Sequence, residues 1–192
     1  QASTVDPTLK GSLTNVASVL KAVKVVVRNE YAYVLYDGPG LNGRGLAIFD
    51  VSGDSPVNVS VGLAGQITST NDFIDMVVVG NKTFSVSPSI GGGYMIADVE
   101  NPSNIISAGQ PAATGTTYVG GAICASGNNT YFVGNTLNIT ESILSNSTSL
   151  VATYDNTGVE LVLCTDIKVV NSFAYIASAG NTSIVIINVQ EP

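Results

Sequence analysis

Short runs of β-branched and aromatic residues recur along the chain, and each is broken after a few positions by Gly, Asn, Asp or Pro. Val25-Val-Val27, Tyr31-Ala-Tyr-Val-Leu35, Leu46-Ala-Ile-Phe49 and Ile184-Val-Ile-Ile187 are the clearest. Their length and composition predict β-strands. Ala17–Val27 carries a few helical spacings, but its Val run favours a strand, and no convincing helix is found. No apolar run approaches the roughly 18 residues of a spanning helix, so membrane insertion is not expected.

The runs are organised into cassettes. One reads Asn29-Glu-Tyr-Ala-Tyr-Val-Leu35, a Gly-rich turn, Gly45-Leu-Ala-Ile-Phe-Asp50-Val51, then Pro56. A second reads Asn81-Lys-Thr-Phe-Ser-Val86, Gly91-Gly-Gly93, Tyr94-Met-Ile-Ala-Asp98-Val99, then Pro102. The fourth reads Asn171-Ser-Phe-Ala-Tyr-Ile-Ala177, Gly180-Asn181, Ile184-Val-Ile-Ile-Asn188-Val189, then Pro192. The third is looser: Asn129-Thr-Tyr-Phe-Val133, a long insertion from Gly134 to Ser149, then Leu150-Val-Ala-Thr-Tyr-Asp155. A period of about 46 residues suits one four-stranded sheet per repeat. Asp50, Asp98, Asp155 and Asn188 share one repeat position, where a side-chain oxygen is expected to cap a turn through backbone N–H groups.

These cassettes resemble the LVIVD repeat of β-propellers, whose unit runs roughly G-x-Y-A-Y-V-A, a turn, then G-L-x-I-I-D-V-S-x-P. The resemblance implies a single all-β, β-propeller-like domain over residues 1–192. It has four blade-like repeats at about 14–56, 57–102, 103–156 and 157–192, plus a strand at 4–13. It also implies an extracellular or surface protein, and offers no catalytic residues.

Gly38, Gly40 and Gly43 spell G-x-G-x-x-G. That fingerprint holds a pyrophosphate only where a helix follows, because the helix N-terminus supplies the amides and the dipole. Here Leu46-Ala-Ile-Phe49 reads as a second strand, so the glycines serve a hairpin turn.

The phase of the repeats places Val5-Asp-Pro7-Thr-Leu-Lys-Gly11 in register with the segment after Val51 and after Val99. The chain thus opens on the last strand of a repeat and stops before that strand would return. The strand at 4–13 is expected to complete the last repeat, within the chain or in a neighbouring subunit, since a sheet lacking its last strand invites pairing. A head-to-tail contact that does not close gives a filament.

Composition supports an outside location. Charged residues are 11% of 192, and Ser, Thr, Asn and Gly fill the polar share. The net charge of −7 leaves no basic patch for nucleic acid. The first residue is Gln1 with no basic-then-apolar leader, as in a mature form or a fragment. Six N-x-S/T sequons, at Asn58, Asn81, Asn128, Asn138, Asn146 and Asn181, are candidate N-glycan sites. Cys124 and Cys164 are the two cysteines, and in an oxidising compartment they are expected to form a disulfide; reduced, they would be small core residues.

Candidate chemistry is sparse. The chain has no His, which removes the commonest general base and metal ligand. Asp72 and Asp75 form the nearest carboxylate pair, but on a strand they point to opposite faces. Asp37 and Asn42 could donate oxygens to calcium, yet a turn rich in Asp, Asn and Gly needs no ion. No catalytic residue, cofactor or metal is expected. The sequence favours a non-catalytic, secreted, N-glycosylated structural protein that partners itself in a filament or surface coat. The alternative is a monomeric module that binds protein or carbohydrate through loops on one face.

Overall fold

The alternation of apolar positions sets the strands, and short turns set their order. The computed structural model describes residues 21–37, 44–52, 62–69, 72–87, 94–109, 121–141, 150–154 and 161–190. They form four antiparallel sheets and no helix. Sheet 1 holds β1 (Lys21–Arg28), β2 (Tyr31–Asp37), β3 (Arg44–Asp50) and β4 (Gly62–Ser69). Sheet 2 holds β5 (Asp75–Val79), β6 (Lys82–Val86), β7 (Tyr94–Asp98) and β8 (Ile106–Gly109). Sheet 3 holds β9 (Ala122–Ser126), β10 (Asn129–Val133), β11 (Leu137–Glu141) and β12 (Leu150–Tyr154). Sheet 4 holds β13 (Cys164–Val170), β14 (Phe173–Ser178) and β15 (Ser183–Asn188). Within each sheet the spatial order follows the chain. The sheets therefore run past the prolines that bound the sequence repeats, since β4 lies beyond Pro56 and β8 beyond Pro102.

The first hairpin of every sheet closes on two residues, between Arg28 and Tyr31, Val79 and Lys82, Ser126 and Asn129, and Val170 and Phe173. The leading turn residue is left-handed each time: Asn29 at φ 54, Gly80 at 56, Gly127 at 57 and Asn171 at 49. Only Gly and Asn take this conformation cheaply. This corrects the alignment of the cassettes on Asn29, Asn81, Asn129 and Asn171. In sheets 2 and 3 a glycine takes the left-handed place and pushes Asn81 and Asn128 to the second.

The third repeat needs a larger correction. Its third strand is β11, inside what the sequence presents as an insertion, and Leu150–Tyr154 is the fourth strand. Glu141, which pairs with Asn129, stands where Asp50 pairs with Tyr31, so Asp155 is not the equivalent residue and lies outside those described. Polar Asn138 and Thr140 hide the alternation of β11, and both are buried. Thr140 shares a 2.7 Å hydroxyl bond with Thr130. The turn-capping reading holds elsewhere: Asp50 accepts from Ser52 N (2.9 Å), Asp98 from Glu100 N (2.9 Å) and Asn188 from Gln190 N (3.0 Å).

Successive sheets pack face to face. Tyr33, Leu35, Leu46 and Ile48 of sheet 1 bury against Met76, Met95 and Ala97 of sheet 2. Phe84, Val86 and Ile96 of sheet 2 bury against Ile123 and Phe132 of sheet 3. Tyr131, Val133 and Leu137 of sheet 3 bury against Ile167, Ala174 and Ile176 of sheet 4. Apolar area removed from water, at about 25 cal/mol per Å², drives each of these contacts. The inner strands touch in the same order, β1 to β5, β5 to β9 and β9 to β13. No helix among the described residues is long and apolar enough to cross a membrane.

Candidate functional site

The inner strands carry a polar side chain that reaches across sheets. Asp75 opens β5. Its Oδ1 accepts from Lys24 Nζ of sheet 1 (2.7 Å) and from Met76 N (2.9 Å), and its Oδ2 accepts from Ile123 N of sheet 3 (3.0 Å). One carboxylate, 13% exposed, thus ties three consecutive sheets. Arg28 Nη1 adds a bond to the Val78 carbonyl at 3.3 Å. Asp72 and Asp75 are engaged with different partners. Asp72 makes an ion pair with Arg44, which also holds Asp37 at 2.8 Å, while Asp75 is spent on Lys24 and main chain. Both carboxylates raise the Arg44 guanidinium above its ordinary value, the bond from Asp37 contributing most.

Asp37 is therefore neutralised by a cation rather than left to face one, and its suggested partner Asn42 lies outside the described residues. Among the described residues no group of three or more Cys, Asp and Glu is arranged to hold a metal. Gly38, Gly40 and Gly43 also lie outside them, but they join β2 to β3, which pair antiparallel as a hairpin. No helix follows, so the pyrophosphate geometry is missing.

The sequons divide. Asn81, Asn128 and Asn181 stand exposed on turns, where a glycan has room. Asn58 and Asn146 lie outside the described residues. Asn138 is 2% exposed and its amide is used inside the sheet: Nδ2 donates to Thr136 Oγ1 (2.9 Å) and Oδ1 accepts from Thr153 Oγ1 (3.1 Å). Its burial leaves a glycan no room at Asn138 in this fold. The cysteines also depart from expectation. Cys124 and Cys164 are free thiols, both buried in the cluster between sheets 3 and 4, and no disulfide joins them. Each thiol is engaged separately, Cys164 with Ser178 and Cys124 with the backbone of Val169. Burial pushes the Cys124 thiol up to about 11 and raises Cys164 as well.

A cleft of about 260 Å³ lies between sheets 3 and 4, lined by Tyr131, Ile139, Val151, Tyr154, Ile187 and Gln190 among others. That is under the volume usual for a small-molecule site. Apolar side chains are also exposed on the outer faces of sheets 4 and 1. On sheet 4, away from sheet 3, Tyr175, Ile184 and Ile186 are 41%, 73% and 59% exposed, beside exposed Val170 and Phe173. On sheet 1, away from sheet 2, Val25 and Val27 are 58% and 63% exposed. The strand pairing of that face also places Tyr36, Ala47 and Phe49 on it, and these three form a buried cluster of their own.

No protein-family model and no curated protein matches the chain. Its fold is similar to that in the crystal structure of a computationally designed protein, Ika4. The TM-score is 0.65 at 10% identity, over 96% of this chain and 99% of that one. At this identity the likeness shows the fold alone.

Proposed function

We propose that the protein is a non-catalytic, secreted and N-glycosylated structural subunit, built to assemble with copies of itself in an extracellular filament or surface coat by β-strand complementation. The observation that carries this reading is the strand count of sheet 4. Its described strands are three where the other sheets have four, and β15 pairs with β14 alone among them. A strand edge with unpaired N–H and C=O groups is a template for another strand. The strand expected at 4–13, which lies outside the described residues, has the repeat phase to fill it. Exposed turn residues Asn81, Asn128 and Asn181 suit a glycosylated surface, and the low charge suits an assembly held by backbone bonds and apolar faces.

Negative-stain electron microscopy of natively purified protein, with light scattering on the same sample, tests the reading. Polymers that disperse when residues 1–13 are deleted are the expected result. A monomer of about 19.7 kDa plus glycan overturns it.

A further inference from the structure

Register makes the four sheets directly comparable, and one position after another is buried in three sheets and bare in the fourth. The aromatic position of the second strand is Tyr33, Phe84, Tyr131 and Tyr175, counted from the left-handed turn residue. Tyr33, Phe84 and Tyr131 are 6%, 0% and 5% exposed, each covered by the following sheet, whereas Tyr175 is 41% exposed. The residues paired with these four in the third strand are Ile48, Ile96, Ile139 and Ile186. Ile48 and Ile96 are buried, Ile139 packs on the next sheet, and Ile186 is bare. Sheet 4 thus presents the same forward face as its predecessors with no following sheet among the described residues.

Sheet 1 shows the reverse. Met76, Ile123 and Ile167, which receive the preceding sheet, are all buried. Their counterpart in β1 is Val25, followed by Val27, and both are bare. Charge is matched as well. Lys24, Asp75 and Asp166 occupy one repeat position, paired with Leu35, Val86 and Ala177 respectively. Inside the chain the Lys24–Asp75 pair at this position joins sheets 1 and 2. Asp166, exposed at the forward end, is the acidic complement of a second copy's Lys24, which is 44% exposed.

We infer that the forward face of sheet 4 docks on the β1 side of sheet 1 of a second copy, repeating the internal sheet-to-sheet contact across a subunit boundary. Tyr175, Val170 and Ile186 cover Val25 and Val27, and Asp166 meets Lys24 as Asp75 does. The contact is heterologous, since each copy uses one face to give and another to receive. Because Tyr36, Ala47 and Phe49 are already buried, it is confined to the inner half of sheet 1. The inference rests on the self-assembling reading above, but uses a sheet face where that reading uses a strand edge.

Two full-chain variants test it: Tyr175→Arg with Ile186→Arg, and Val25→Arg with Val27→Arg. All four positions are surface residues, and far-UV circular dichroism checks that both variants fold. Strand exchange and the face contact join the same two copies, and neither holds them alone, so sedimentation velocity is expected to find each variant alone as a monomer of 19.7 kDa plus any glycan, and an equimolar mixture as a 1:1 pair of about twice that mass. The pair forms because each variant retains the face that the other lacks. Wild-type protein that assembles while both variants assemble equally well overturns the face contact and leaves strand exchange standing. Variants that stay apart when mixed overturn the face contact as well. Wild-type protein that is monomeric overturns both.

Discussion

Asp75→Ala is the most informative single perturbation. The carboxylate serves three donors: the Lys24 ammonium at 2.7 Å, Met76 N at 2.9 Å and Ile123 N at 3.0 Å. Lys24 is 44% exposed, so after truncation water takes over the ammonium and that bond counts for about 1 kcal/mol or less. The Met76 bond is local to one turn of chain. Ile123 is different, because it is buried and its N–H reaches toward sheet 2. A hydrogen bond to a charged acceptor is worth about 1.5–3 kcal/mol, and a buried donor left alone costs a similar amount. The expected loss for Asp75→Ala is therefore about 2–4 kcal/mol, or a fall in Tm of roughly 5–15 °C at this chain length. Asp75→Asn keeps an oxygen for Ile123 N and should lose about half as much, while Lys24→Ala should lose no more than about 1 kcal/mol. Equilibrium urea unfolding followed by circular dichroism and tyrosine fluorescence gives all three values. If Lys24→Ala matches or exceeds Asp75→Ala, the carboxylate is acting as one half of a surface ion pair, and the tie between sheets is refuted.

Three more expectations can be measured on the same material. Gly121→Ala should destabilise by about 1–3 kcal/mol, because an added Cβ runs into the backbone carbonyl of Cys164 where β9 crosses β13; thermal melts read this directly. Burial lifts the Cys124 thiol from 9.0 to about 11, so the folded state keeps a proton that the unfolded chain has lost. Stability should be unaffected by this group below pH 9 and decline as pH rises from 9 to 11, by at most about 3 kcal/mol, a decline that Cys124→Ala should flatten in urea titrations. Expressed through a secretory pathway, the chain should carry glycan at Asn81, Asn128 and Asn181 and none at Asn138, as glycopeptide mass spectrometry would resolve.

Much of this architecture was legible because its signals are local. A strand of Val, Ile and Tyr, a two-residue turn and an Asp that bonds the amide two positions on all lie within a few residues of one another. That is why the capping roles of Asp50, Asp98 and Asn188 could be read from their recurrence. The phase error at Asn81 and Asn129 has an equally local cause: Gly and Asn compete for the same left-handed place, with Asn filling it in the first and fourth sheets and Gly in the second and third. What sequence could not show depends on distant partners. Asp75 acts through Ile123, 48 residues away, and a main-chain donor has no side-chain signature. Asn138 carries a sequon, but Thr136 and Thr153 close around its amide once β11 lies between β10 and β12. The cysteines have apolar neighbours in either redox state, so their spacing could not distinguish a bridge from two thiols. Whether Tyr175 is covered depends on what stands beyond sheet 4, and the residue itself looks like Tyr33.

Within each sheet, the described strands are hydrogen-bonded to their chain neighbours. All-β proteins usually fold slowly because segments far apart in the chain must find one another before pairing is rewarded. Here each hairpin closes over a short stretch, so little chain entropy is lost before the first bonds form. A sheet can be completed while the next is still emerging from the ribosome, and each finished sheet is a template on which its successor condenses. Synthesis and folding then advance in the same direction, one sheet at a time.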